Sequence, residues 1–354
     1  LLGRLMNHIL AQRGLKATIV GATSGDTGAA AIDAFRGQSA VDVFILYPDG
    51  RVSDVQRRQM TTIADSNVHT IALQGSFDDA QSILKGLFRD AEWRARLGLA
   101  GVNSINWARV VAQMVYYFTS AVALGAPHRK ISFAVPTGNF GDVLAGYVAK
   151  RMGLAIERLI VATNANDILA RALATGRYEP RGVTPTQSPS MDIQVSSNFE
   201  RLLFDACGRD AGATRGAFAS LEQGGGFDIP PHALLAIRAD FEAQAVSELE
   251  TSAEIAFTYE RTGYVLDPHT ATGVRAARAR LERDPATPVV ALATAHPAKF
   301  PAAIKRAIGL EVELPARLKP ILDAPERFTR LENDEADIKT FIEENARAAR
   351  VAKA

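Results

Sequence analysis

Twice in this chain an apolar, strand-like run passes directly into a turn of small residues and then into a helix. ATIVGA (17–22) precedes Thr23-Ser24-Gly25-Asp26-Thr27-Gly28, and ISFAVP (131–136) precedes Pro136-Thr137-Gly138-Asn139-Phe140-Gly141-Asp142. The pattern constrains the fold, because a strand that hands over to a helix through a tight turn is the unit of a parallel, doubly wound sheet. It also constrains the chemistry. Glycines let a ligand approach the backbone, and a helix start offers unpaired N–H groups to an anion. The first turn adds hydroxyls from Thr23, Ser24 and Thr27 and suits a carboxylate or phosphate, although an ordinary capped turn has the same residues. Neither turn is a Walker or a dinucleotide GxGxxG pattern.

The rhythm continues around both turns. VDVFILY (41–47) and VHTIAL (68–73) read as strands, with helices near 54–64 and 78–97. RLIVAT (158–163) and PVVALAT (288–294) read as later strands, and the stretch between them, 196–284, reads as helical, broken at Gly224-Gly225-Gly226. SINWARVVAQMVYYFTSAVAL (104–124) is apolar nearly all round and reads as a buried helix. The Pro-, Ser- and Thr-rich loop 179–192 is long enough to be functional. The tail from about 332 reads as a charged, solvated helix.

The 354 residues fit two domains. The 40 Lys and Arg against 39 Asp and Glu leave a formal charge of +1, which argues against a nucleic-acid partner. Cys207 is the sole cysteine, so neither an intrachain disulfide nor a cysteine-based metal site is expected. No apolar run approaches the ~18 residues of a membrane span. No membrane partner is expected, and a cytoplasmic location is. The chain starts on Leu1 rather than Met, inside an apolar helical stripe (Leu1, Leu2, Leu5, Met6, Ile9, Leu10) with no capping residue. This reads as a chain whose leading segment is absent, or as a processed start.

Three further segments carry chemistry. Asn103-Ser104-Ile105-Asn106-Trp107-Ala108-Arg109 can bring two amides and a guanidinium to one side of a helical turn, good phosphate-binding chemistry; a capped helix with a surface arginine reads the same. Thr294 lies at a strand's carboxyl end, where ligands of open α/β sheets sit, and His296 two residues on reads as a structural hydrogen-bonder or a catalyst. Asp267-Pro268-His269 reads as a cap followed by a first-turn proline.

ATSGDTGAAA, NSINWARV, VPTGNFGDVLAGYVAKRMGL, SPSMDIQVSSNFERLLF, DPHTATG and ATAHPAKF, taken in this order, resemble the threonine synthase family in its longer bacterial and fungal form. The resemblance implies a fold of two doubly wound α/β lobes with open, mostly parallel sheets and a cofactor cleft between them, of the tryptophan-synthase-β type. It implies pyridoxal 5′-phosphate as cofactor and conversion of O-phospho-L-homoserine and water to L-threonine and phosphate. The implied lobes are 1–115, with the SGDTG turn, and 116–322, with the phosphate loop, followed by a helical tail at 323–354.

Residue by residue, the resemblance places the cofactor phosphate on Gly138, Asn139, Phe140 and Gly141 with Asp142 adjacent. It sets Thr294 at the pyridine nitrogen and Asp26 at the cofactor. Thr23, Ser24, Gly25 and Thr27 go to the substrate carboxylate, and Asn103, Ser104, Asn106 and Arg109 to the leaving phosphate. The family's Schiff-base lysine lies in a Phe-Lys-Asp motif that none of the nine lysines here has; it is expected upstream of Leu1, so no catalytic residue is assigned within the chain. Lys299 is the one lysine expected near the pocket, as substrate or surface charge.

Overall fold

The computed structural model describes residues 2–23, 25–101 and 104–351. The chain forms two compact units, residues 1–103 with 314–354, and residues 104–313. Among the described residues, no helix is long and apolar enough to cross a membrane and no cluster of His, Cys, Asp and Glu could hold a metal ion.

The first unit begins with α1 (Leu2–Gln12), β1 (Ala17–Ala22), α2 (Asp26–Phe35), β2 (Val41–Pro48), α3 (Asp54–Thr61), β3 (Val68–Gln74), α4 (Phe77–Arg89), α5 (Ala91–Arg96) and β4 (Leu99–Gly101). All eight residues of β2 are buried, as a strand covered on both faces by helices requires. Reciprocal Ser–Gln and Ser–Asp capping boxes start α3 and α4. The single helix expected near 78–97 is two, because Asp90 is extended and its carboxylate caps α5 at the Trp93 N–H.

The second unit holds α6 (Trp107–Ala123), β5 (Ile131–Pro136), α7 (Gly141–Arg151), β6 (Ile156–Thr163), α8 (Ile168–Thr175), β7 (Arg177–Tyr178), α9 (Phe199–Ala206), α10 (Ala211–Glu222), β8 (Phe227–Asp228), α11 (Pro231–Asp240), β9 (Phe241–Ala245), α12 (Glu248–Thr262), α13 (Pro268–Arg283), β10 (Val289–Ala291) and α14 (Pro301–Ile308). Its main sheet runs β10-β5-β6-β9, parallel throughout. β9 corrects the reading of 196–284 as helical: only Phe241 of its five residues is fully buried, so this edge strand shows little apolar run. The strand expected at 288–294 ends at Ala291. α6 is not buried all round either. Val110, Met114, Tyr117 and Ala121 face the core, while Val111, Val115 and Val122 are exposed in this unit.

The chain then returns to the first unit through β11 (Thr329–Glu332), α15 (Glu335–Asn345) and α16 (Arg347–Val351), completing a five-stranded sheet, β11-β3-β2-β1-β4. β11 pairs in parallel with β3, and Ile338 and Ile342 enter the same core as Val20 and Phe44. Arg347 donates to the buried Asp42 carboxylate and to the carbonyls of Gln38, Ser39 and Val41. The unit boundaries therefore fall at 103/104 and 313/314, not at 115/116 and 322/323. The segment read as a helical tail is part of the first unit, because its buried isoleucines stand four apart inside a charged helix.

Candidate active site

In the first unit, the SGDTG turn leaves the carboxyl end of β1, with β2 and β4 on either side. The Thr23 hydroxyl is buried and accepts the N–H groups of both Gly25 and Gly28, each at 2.9 Å. Gly25 sits at φ +139°, and a Cβ there would come within 2.5–2.8 Å of the Gln56 side chain. A Cβ on Gly28 would meet Thr23, Ile45 and Met60 side chains at 2.5–2.9 Å. Both glycines are therefore required by the shape of the turn. Gln56 also donates to the Asp26 carboxylate at 3.2 Å, orienting it at the start of α2. Thr27 is half-buried, and Ser24 lies outside the described residues. Thr23, expected as a donor to substrate, uses its oxygen to hold the turn.

The second turn is built differently. Phe140 takes a left-handed conformation, φ +65°, rare outside glycine and asparagine, and its fully buried ring is held between Phe199 and Phe241, each 5.6 Å away. The loop's carbonyls are gripped from outside. Ser196 donates to Gly138 O at 2.7 Å, and Asn198 donates to Asn139 O through its backbone N–H at 3.1 Å and its side chain at 3.0 Å. In a trans peptide the C=O and the following N–H point opposite ways, so the N–H groups of Asn139 and Phe140 face away from that grip. Among the described residues, the backbone N–H groups of Gly138, Asn139, Phe140 and Gly141 have no acceptor. Four unspent donors beside the start of α7 form an anion receptor. A Cβ on Gly138 would strike the Ser190 carbonyl at 2.8 Å. Asp142 accepts the Val143 N–H at 2.8 Å, and burial pushes its carboxyl up to about 6.

Arg109 occupies the first turn of α6. Its Nη1 is buried with no hydrogen-bond partner among the described residues, and burial lowers its pKa with no carboxylate to offset the effect. The stripe it belongs to follows the start of α7. Tyr117 OH donates to Asp142 O at 2.7 Å, and Gln113 Oε1 lies 3.9 Å from where a Gly141 Cβ would be. Arg109 stands one turn further on, at i−4 from Gln113. Asn106 is the helix cap, accepting the Ala108 N–H at 3.0 Å. The Ser104 and Ile105 carbonyls accept from Asn198 and Arg201 at 3.2 and 2.7 Å. Asn103 lies outside the described residues.

Thr294 lies three residues beyond β10, at the end of the sheet where residues 137–140 leave β5. Its N–H donates to Thr270 Oγ1 at 3.2 Å, and its side chain is exposed. His296 caps a 3-10 turn that contains Lys299. The second unit thus brings Ser104, Asn106, Arg109, residues 138–142 and Thr294 into one body, while Thr23, Gly25, Asp26 and Thr27 belong to the other.

Sequence reasoning missed the groups that hold this site. Ser196 and Asn198 are one; Ser-Ser-Asn ahead of an amphipathic helix was the available signal. The second is a buried cluster in which Asp192 accepts from Asn164, Asn166 and Thr186 at 2.6–2.9 Å. It fixes the loop 179–192, so that Ser190 and Met191 wall in Gly138. The third is Asp267 with His269 and Thr270. Burial works to raise the Asp267 carboxyl, but bonds from His269 and Thr270 hold it below its ordinary value.

Two family models match the chain, "Pyridoxal-phosphate dependent enzyme" over residues 2–224 and "Threonine synthase, C-terminal" over residues 270–342. The threonine synthase of Pseudomonas aeruginosa is 50% identical over 346 residues, an alignment covering 98% of this chain and 74% of that protein. Among solved structures, pyridoxal-phosphate-bound threonine synthase from Brucella melitensis aligns with a TM-score of 0.94 at 57% identity, covering 98% of this chain and 74% of that one. Threonine synthase from yeast aligns at 0.90 and 41% identity, covering 99% and 74%.

Proposed function

The chain belongs to the threonine synthase family, and from that premise we propose that it converts O-phospho-L-homoserine and water to L-threonine and phosphate with pyridoxal 5′-phosphate. The observation that carries the reading is the presence of two anion receptors in the second unit. One is the set of N–H groups at 138–141 and the other is Arg109, whose buried Nη1, like those N–H groups, has no hydrogen-bond partner among the described residues. Cofactor and substrate each bring a phosphate.

On this reading Gly138, Asn139, Phe140 and Gly141 hold the cofactor phosphate through backbone N–H groups, next to Asp142. The Thr294 hydroxyl faces the ring nitrogen; a neutral hydroxyl there leaves the nitrogen unprotonated. Bound in this way, the cofactor supplies a conjugated ring that takes up the negative charge left at the substrate Cα on loss of a proton. Arg109, with Asn103, Ser104 and Asn106, holds the phosphate that leaves from Cγ, and its fork matches two phosphate oxygens as a lysine does not. Thr23, Ser24, Gly25 and Thr27 present the SGDTG turn to the substrate carboxylate, and Asp26 serves the cofactor.

The test supplies pyridoxal 5′-phosphate and O-phospho-L-homoserine with and without methylamine, an exogenous amine that can stand in for the lysine of the Phe-Lys-Asp motif. Because none of the nine lysines lies in such a motif, little turnover is expected without the amine, and phosphate released together with threonine is the expected result with it. Phosphate with a 2-oxo acid would reassign the chain to a phospho-lyase. Absence of both products at cofactor saturation overturns the proposal.

A further inference from the structure

Asp267 is the N-cap of α13, yet it does more than a cap needs. Asp210 and Asp334 cap α10 and α15 from exposed positions, and their carboxylates accept only two backbone N–H groups of their own helices. Asp267 is 1% exposed and has no lysine or arginine partner among the described residues. Its Oδ1 accepts the His269 and Thr270 N–H groups at 2.9 and 3.4 Å and faces His269 Nδ1 at 3.0 Å. Its Oδ2 accepts the Thr270 hydroxyl in a short bond.

Each of the two side chains carries the contact onward. The Ser190 N–H donates to His269 Nε2 at 3.2 Å, so Nε2 is bare and the ring proton sits on Nδ1, where it binds Asp267. The imidazole is held in one neutral tautomer, packed on Phe300 at 4.8 Å. Ser190 is the residue whose carbonyl walls in Gly138. On the other side, the Thr270 hydroxyl donates a hydrogen bond to Asp267, and its oxygen accepts the Thr294 N–H at 3.2 Å. One buried carboxylate thereby reaches the wall of the phosphate loop through His269 and the backbone N–H of Thr294, at the sheet end, through Thr270.

We infer that Asp267, His269 and Thr270 form a positioning device that fixes Thr294 and the phosphate loop in register with each other, so that a ligand's ring nitrogen and its phosphate are met together. The inference rests on the cofactor reading of 138–142 and Thr294. The three residues are positioning residues, since they act through Ser190 and Thr294.

The test uses the intact chain and two readouts. The first is amide hydrogen exchange without ligand. Thr270→Val keeps the shape and the Asp267 cap but removes the acceptor for Thr294, and should speed exchange at Thr294 while leaving Ser190 protected. His269→Leu should do the reverse. The second is the affinity for 4′-deoxypyridoxine 5′-phosphate, which has the ring nitrogen and the phosphate but cannot form a Schiff base, with inorganic phosphate as the comparison ligand. Thr270→Val should weaken the analogue about three- to tenfold, the scale of one net hydrogen bond, without changing phosphate binding. Thr270→Ser should restore it, and adding Thr270→Val to Thr294→Val should cost nothing further. Independent, additive losses, or wild-type affinity in Thr270→Val, overturn the inference alone. A wild-type chain that binds neither ligand overturns the cofactor reading and this inference with it.

Discussion

The two strand-turn-helix motifs look alike in the sequence and use their backbones in opposite ways. At Thr23–Gly28 the turn satisfies itself: one threonine oxygen takes two N–H groups, and the glycines are there because any Cβ would collide. At Gly138–Asp142 the carbonyls are tied down by Ser196 and Asn198, and the N–H groups are left over. The Gly25 and Gly28 N–H groups of the first turn are therefore spent on Thr23, whereas those of Gly138 to Gly141 in the second have no acceptor among the described residues. A glycine-rich turn at a helix start is a candidate anion site, and the disposition of its donors decides whether it is one.

Thr23→Val is the largest expected effect. It leaves two buried N–H groups without an acceptor, each costing about 1–3 kcal/mol, so urea unfolding should show a loss of about 2–6 kcal/mol. Affinity for inorganic phosphate, read at the second turn, should not change in the folded fraction. A stable Thr23→Val protein would break the contrast. Arg109→Lys comes next. It replaces a fork with a point charge, and because charge-assisted bonds are worth about 1.5–3 kcal/mol each, binding of O-phospho-L-homoserine should weaken tenfold or more by calorimetry. Binding of 4′-deoxypyridoxine 5′-phosphate should hold; its loss would move Arg109 to the cofactor. Gly141→Val should act on ligand rather than fold. A Cβ at 141 meets nothing closer than 3.5 Å, unlike one at Gly25 or Gly28, so the melting temperature should stay within a few degrees while the analogue binds several-fold more weakly.

The parts of the molecule legible in the sequence were those set by local pattern. The continuous apolar runs of β1, β2, β3, β5 and β6 announced buried parallel strands, and the two turns fell where their small residues stood. What escaped depended on distant residues. Whether Asn139 offers its N–H or spends it is settled by Asn198, 59 positions later in the chain. The pairing of β11 with β3 crosses more than half the chain. β9 is an edge strand whose burial is too partial to mark it. The resemblance supplied roles for Gly138 to Asp142 but none for Asp267 or His269, whose capping signal was readable and whose reach to Ser190 and Thr294 was not.

The smallest effect expected is the response of the second turn to pH, and it bears on the same contrast, since Asp26 in the first turn accepts from Gln56 while, among the described residues, no cation or side-chain donor meets the Asp142 carboxylate. Burial raises Asp142 to about 6, above its ordinary 3.8. A carboxyl whose folded value lies above its unfolded value binds more protons when folded. Its contribution to stability is therefore complete below about 4 and is lost as the pH rises through about 6. Anion binding at this turn should follow the same course, because Asp142 directly follows the unspent donors of Gly138 to Gly141 in the chain. Inorganic phosphate should bind two- to threefold more weakly at pH 7.5 than at pH 5.5, after correction for its own second ionisation near pH 7 by comparison with sulfate, which carries a constant charge over this range. Asp142→Asn should remove the slope for sulfate while retaining the Val143 cap through its amide oxygen. A sulfate affinity that is flat in the unmodified chain, or equally steep in Asp142→Asn, would show that the carboxylate does not act on the receptor.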